Sequence, residues 1–348
     1  MLFVTAEADM PSFLPAAENP PCLTTWTNAE IAWNLFIAIP DPVLLRFGTR
    51  PWKPRKQRAA AVGAMTWLHA SLARKSRPYH RPPPEMMWTA AYKDGMTADR
   101  SSRRTALITG ASHGIGAAAA SALAADGYDV AVTDLDPRDL ATTVEDIRAR
   151  GARALPVALD IRSEASIEAC FAAILDAFGT LDVLVNNAGV PSLRKPAVDI
   201  ERADWDRVLS VNLTGTFFMA QAMGRHRIAA GGGGSIVNLA STHGLVGLGG
   251  ASVYGIAKAG VAHMTRMLAI EWAPHRIRVN AVAPGATETK SRIALSSPQH
   301  KAKALARIPF GRYAEAGEVA AAIRYLAGEE ASYTTGHVLV VDGGLTAA

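Results

Sequence analysis

Residues 96–348 of this 348-residue chain predict an α/β fold, a doubly wound parallel seven-stranded sheet with helices on both faces. Three observations carry that expectation. Short runs rich in β-branched residues alternate with Ala-rich stretches of helical length, the rhythm of βαβ units. Most of the runs are almost continuously apolar, as strands covered on both faces must be. A glycine-rich turn, "TGASHGIG" (109–116), joins the first run to the first helix.

The strands read in order as "TALITG", "DVAVTD", "ALPVALD", "LDVLVNNAG", "SIVNLAS", "IRVNAVAPG" and "HVLVVDGG". Helices are predicted between them over 114–126, 137–150, 163–178, 204–229, 252–273 and 315–327. Gly127 and Gly151 stand at two helix ends, where a left-handed residue closes the last turn. No internal repeat is visible.

Residues 1–95 have another character. They hold 12 of the 20 prolines and five of the seven tryptophans, and "RPPPE" and "PWKPRKQR" break any period. Prolines at that density rarely let a helix or a central strand extend. The reading is an irregular N-terminal extension, either disordered or upstream of a functional start at Met96. A basic tail spanning Arg46 to Arg81, or a small tryptophan-bearing domain, are the minority readings.

The formal net charge is +5, of which the first 95 residues contribute +4. The nearly neutral remainder argues against nucleic acid as a partner. Two cysteines, Cys22 and Cys170, allow neither a disulfide framework nor a CxxC site, so a reducing cytoplasm is expected. The nine histidines show no HExxH spacing, and no metal is expected. The apolar run "IAWNLFIAIP" is about half the length of a membrane helix and contains Asn34, so no membrane partner is expected either.

The chemistry concentrates in a few places. Gly110, Gly114 and Gly116 let the backbone turn tightly and approach a pyrophosphate, while the following helix points its free N–H groups at the anion. Asp134 ends the second strand, 18 residues after Gly116, and can accept both hydroxyls of an adenosine ribose. A carboxylate there repels a 2′-phosphate, which favours NAD; NADP is the weaker alternative, through the basic ring of His113. Tyr254 and Lys258 in "SVYGIAKAG" share one helix face. An ammonium beside a phenol favours the phenolate and makes tyrosine an acid-base catalyst near neutral pH. Ser241, in "NLASTHG", can hold a substrate oxygen beside that phenol.

With "NNAG" (186–189) and Asn212 in "SVNLTGTFF", these motifs stand in an order that resembles the short-chain dehydrogenase/reductase family, over about Thr105 to Leu345. The resemblance implies a Rossmann-like fold and hydride exchange between a nicotinamide and a secondary alcohol or ketone, with Asn212, Ser241, Tyr254 and Lys258 as the tetrad. It implies that Asn212 holds a relay water and that Lys258 also binds the nicotinamide ribose. It further implies cofactor contacts from Ser112, His113, Ile115, Leu135, Asp160, Ile161, Asn187, Ala188, Gly189, Pro284, Gly285, Thr287 and Thr289.

The implied assembly is a homotetramer built on helices 204–229 and 252–273. "VAHMTRMLAIEW" agrees, being apolar on more than one face. The substrate reads as a sugar, polyol or hydroxy acid, with a 3-oxoacyl thioester as the alternative. A flap over 286–312 carries six Lys/Arg against Glu288, read first as a solvated face and second as an attraction for anions. His243 is a candidate substrate contact. A nucleotide-binding sensor without catalysis is the competing class, and such a protein could dispense with a tetrad that is complete here.

Overall fold

Alternation along the apolar strands builds the core. In the computed structural model, which describes residues 103–289 and 298–348, Ala106 and Ile108 of β1 (Thr105–Thr109) pack on one face of the sheet, and Leu107 packs on the other. Val130 and Val132 of β2 (Asp129–Asp134) join the first face and Ala131 the second. A strand that feeds two cores must be apolar throughout, which is what the unbroken hydrophobic runs signalled.

The remaining strands are β3 (Ala154–Ala158), β4 (Val183–Asn186), β5 (Gly234–Leu239), β6 (Ile277–Pro284) and β7 (Val338–Val341). All seven are parallel, in the order β3-β2-β1-β4-β5-β6-β7. The two edge strands, β3 and β7, are only partly buried, a departure from the expectation of continuous cover. An edge strand packs against one neighbour, so its outer side stays open.

Helices α1 (Gly114–Ala125), α2 (Ala141–Ala149) and α8 (Ala316–Ala327) cover the first face through Leu123, Ile147 and Ile323. Helices α3 (Glu164–Phe178), α5 (Thr216–Ala229) and α6 (Ser252–Trp272) cover the second through Ile174, Met223 and Leu268. The strand order reverses between β1 and β4, and the crevice beyond their carboxyl ends is where such sheets bind ligands. The glycine turn after β1 and the NNAG turn after β4 flank that crevice.

Two predicted helices are not uniform. The stretch 137–150 opens as a 3₁₀ turn over Pro137–Leu140, with the Asp136 side chain accepting the Arg138 N–H. The stretch 204–229 is interrupted: α4 (Arg202–Leu209) passes into a π-helical segment, Ser210–Gly215, before α5 begins. Part of the flap is also regular. Helix α7 (Pro298–Leu305) lies within it, and Thr287 bridges to Ala314. The extension over 1–95, its alternative readings and a start at Met96 lie outside the described residues.

Candidate active site

The glycine turn is fixed from several sides. Gly110 and Gly114 adopt φ values of 63° and 61°, the left-handed region that costs glycine nothing. Gly116 has an ordinary φ, and its reason is space: a Cβ there would strike the Gly110 carbonyl and the Asn187 amide. Asn187 donates to the carbonyls of Thr109 (2.9 Å) and Gly110 (2.8 Å), tying NNAG to the turn. The Thr109 hydroxyl accepts the N–H groups of Asn187 and Ala188, each at 3.0 Å.

Helix α1 starts there with no side-chain cap and no acidic residue in its first turn. Its leading N–H groups and the positive end of its dipole are therefore offered to an anion, and the turn fits a dinucleotide pyrophosphate. Asp134 lies beside the turn, with its carboxylate accepting the N–H of Ser112 (3.3 Å) and of Leu135 (2.9 Å). Leu135 is 67% exposed, an apolar side chain left open next to that carboxylate. The Ser112 hydroxyl meets His113 Nδ1 at 2.9 Å.

After β3, Asp160 is ion-paired with Arg162 at 2.6 Å, and the guanidinium holds its carboxyl below the usual range. Ile161 is buried against Gly215, where a Cβ would come within 2.7 Å of it. Neither side chain lines the cleft described next.

A cleft of about 670 Å³ opens between the strand ends, α6 and α7. Ser241, His243, Tyr254 and Lys258 line it together with Ile115, Asn187, Gly189, Pro284, Gly285, Thr287 and Thr289. Lys258 is buried below Tyr254, with Nζ 5.9 Å from the ring centroid and donating to the Leu239 carbonyl at 2.6 Å. Burial pushes its ammonium down to about 8. The His243 and Tyr254 rings meet edge to face at 5.7 Å. Ser241 Oγ accepts the His243 N–H at 3.2 Å, which leaves its own hydrogen to donate elsewhere.

Asn212 sits in the π segment and is fully buried. Its side chain is committed in both directions to Val190, accepting the N–H at 2.8 Å and donating to the carbonyl at 2.9 Å. Gly189 is required beside it, since a Cβ would fall 2.8 Å from Asn212 Oδ1. The expected helix over 204–229 gave no hint of this π turn, which is a common device at functional sites.

Sequence reasoning also missed a buried polar chain behind the site. Asn186 donates to Asn238 Oδ1 at 2.9 Å, Asn238 donates to Thr265 Oγ1 at 3.0 Å, and Thr265 donates to the Val261 carbonyl at 2.8 Å. The signal was an asparagine inside each of two apolar strands, because a buried amide must find partners. Among the described residues no three His, Cys, Asp or Glu side chains gather as a metal site. No helix among them is long and apolar enough to cross a membrane.

An uncapped helix at a switch-point turn, facing a buried lysine, a tyrosine and a serine in one cleft, defines a nucleotide-dependent oxidoreductase acting on alcohol groups. The chain belongs to the short-chain dehydrogenase/reductase family. Residues 110–346 match the family model described as enoyl-(acyl carrier protein) reductase. The chain is 43% identical over 246 residues to cis-4-hydroxycyclohexanecarboxylate dehydrogenase of Sinomonas cyclohexanicum, covering 70% of this chain and 97% of that protein. It is 38% identical over 244 residues to glucose 1-dehydrogenase 2 of Bacillus subtilis, covering 70% and 95%. A solved Agrobacterium tumefaciens structure with bound NADP aligns with a TM-score of 0.66 and 37% identity, over 71% of this chain and 98% of that one. The family binds NAD(P), and the substrate is a small molecule.

Proposed function

We propose that this protein oxidises a secondary alcohol of a sugar, polyol or hydroxy acid with NAD, using Tyr254 as the acid-base group. The observation that carries the reading is the buried Lys258 ammonium set under the Tyr254 ring in the cleft that Ser241 also lines. When bound, the nicotinamide supplies the hydride acceptor or donor.

The chain's own groups handle the proton and the orientation. The Ser241 hydroxyl donates to the substrate oxygen, and the Tyr254 phenolate takes the proton from it. Lys258 supports the phenolate by charge, and its remaining protons serve the nicotinamide ribose. The Asn212 side chain is occupied by Val190. Its part in a relay therefore falls to its backbone carbonyl, which lies in the π turn and accepts the Thr216 hydroxyl at 3.3 Å, with its second lone pair left for a water.

The glycine turn, Ser112, His113 and Ile115 hold the pyrophosphate, while Asn187, Ala188, Gly189, Pro284, Gly285, Thr287 and Thr289 line the remaining cofactor path. Leu135, Asp160 and Ile161 flank the adenine.

The choice of NAD over NADP rests on Asp134. The guanidinium nearest to it in sequence, Arg138, is engaged by Asp136 through three side-chain hydrogen bonds, so it is not set aside for a 2′-phosphate. Wild-type kcat/KM should be higher with NAD, and Asp134→Ser should lower it for NAD and raise it for NADP. A ratio shift of about tenfold is expected, since one full repulsive contact is removed. Wild-type preference for NADP would show that His113 or another cation outweighs the carboxylate.

We also propose a homotetramer in which a second copy covers the groove between α5 and α6. Met267 of α6 and Ile228 of α5 are exposed there, although Met264 and Leu268 on α6 are buried in the monomer core. The groove presents Arg225 from α5 and Glu271 from α6, opposite charges that a two-fold axis pairs with each other. Light scattering should report four chains at micromolar concentration, and Met267→Glu should lower that number. A monomeric wild type would overturn the proposal.

A further inference from the structure

Four cations and no carboxylate are found among the described side chains that line the cleft: Arg194, Lys258, Lys303 and Arg307. Lys258 is accounted for under the tyrosine. The other three come from two separate segments, the loop after NNAG and the region of α7. Glu288, between the lining residues Thr287 and Thr289, is outside the lining and pairs with Lys301 at 3.5 Å. Neither the Lys303 nor the Arg307 side chain forms a hydrogen bond or an ion pair among the described residues.

Arg194 adds a second kind of observation. Its φ is 53°, one of two non-glycine residues with a positive φ among those described, next to Gly250 at φ 75°. That backbone suits glycine or asparagine, so a long cationic side chain is retained where the conformation works against it. Sites of this kind cluster where a side chain has a task.

We propose that the alcohol substrate carries a carboxylate, which Arg307 and Lys303 bind at the α7 wall of the cleft whose lining also includes Arg194. The inference rests on the dehydrogenase reading above and narrows its substrate class. Lys303 and Arg307 are exposed at the edge of the cleft, where a neutral polyol would make no use of their charge. A carboxylate gains charge-assisted hydrogen bonds, and a guanidinium matches it in a two-pronged geometry. Lys303 and Arg307 stand at the C-terminal end of α7, whose dipole is negative, and this favours a singly charged group over a phosphate dianion. The carboxylate selects and orients the substrate and takes no part in the bond changes.

The test uses the full chain with NAD and matched substrates: 4-hydroxycyclohexanecarboxylate against its methyl ester, and gluconate against sorbitol. The acids should have kcat/KM at least about tenfold higher, and the gap should narrow with added sodium chloride. Arg307→Gln and Lys303→Gln should each raise KM for the acid about tenfold, with NADH affinity held. Acid and neutral partners used equally well would overturn the proposal. So would variants that lose NADH affinity instead, because the cations would then serve the cofactor.

Should none of these alcohols reduce NAD, calorimetric binding of 4-oxocyclohexanecarboxylate to the NADH-loaded protein decides. Binding that disappears in Arg307→Gln supports the carboxylate wall, and the missing turnover then counts against the proposed oxidation of a sugar, polyol or hydroxy acid with NAD. No binding, with NADH bound normally, overturns the carboxylate wall.

Discussion

Tyr254→Phe is expected to reduce turnover by at least about 10²-fold, the usual consequence of losing a positioned acid-base group. The change removes one oxygen and keeps the ring, so the edge-to-face contact with His243 at 5.7 Å survives. α6 should also be undisturbed. Tyr254 is half-buried on its first turn, and the helix is anchored further along by Val261, Met264 and Leu268 in the core. NADH affinity and the unfolding midpoint should therefore stay near wild type while kcat and kcat/KM fall together. That pattern marks an interaction made in the transition state alone. Steady-state rates with the best alcohol from the matched panel supply the measurement. A variant that keeps turnover within about threefold of wild type would remove Tyr254 from the proton transfer.

The seven strands were legible because each feeds two cores: Leu107 points to one face of the sheet while Ala106 and Ile108 point to the other, so the hydrophobic run has no gap. Ser241, Tyr254 and Lys258, which line one cleft, were singled out by the order of several motifs rather than by spacing alone, and Asn212 lies in the π segment outside that lining. What escaped reading was set by tertiary contacts. The π turn around Asn212 depends on Gly215 fitting against Ile161, fifty-four residues earlier, and local helical propensity contains no trace of it. Gly116 was readable as a glycine the loop needs, but the Gly110 carbonyl and the Asn187 amide that a Cβ would strike there could be seen only in the folded chain. The charge of the flap was counted correctly, and its first reading was a solvated face. Only the folded arrangement brings Lys303 and Arg307 to the same cleft as Arg194, more than a hundred residues away in the chain.

Lys258→Met is expected to abolish most activity without destabilising the fold, and to change how stability depends on pH. The lysine is 5% exposed, and its Nζ donates to the Leu239 carbonyl. Burial lowers its folded-state value from 10.5 to about 8. The folded state thus holds this proton less tightly than the unfolded chain does. Below about pH 8 the buried charge opposes folding in full, and the opposition fades as pH rises from about 8 to 10.5. At about 1.36 kcal/mol per pH unit, the full effect near neutrality is of the order of 3 kcal/mol.

Methionine has similar length and no charge, so it removes that cost but leaves the Leu239 carbonyl without its donor, a loss of about 1–3 kcal/mol. The two nearly cancel near neutrality, and the variant should unfold close to the wild-type midpoint or slightly above it. The wild type should then gain on the variant as pH passes from about 8 towards 10.5, since only the wild type sheds a buried charge there. NADH should bind the wild type more weakly above about pH 8, as the ammonium is lost, and bind the variant weakly at every pH. Urea unfolding at fixed protein concentration, with parallel NADH titrations, measures both. Stability curves of the two proteins that run parallel across that range would mean that the Lys258 ammonium is not opposed by its burial. NADH affinity unchanged in the variant would remove the ribose from its tasks.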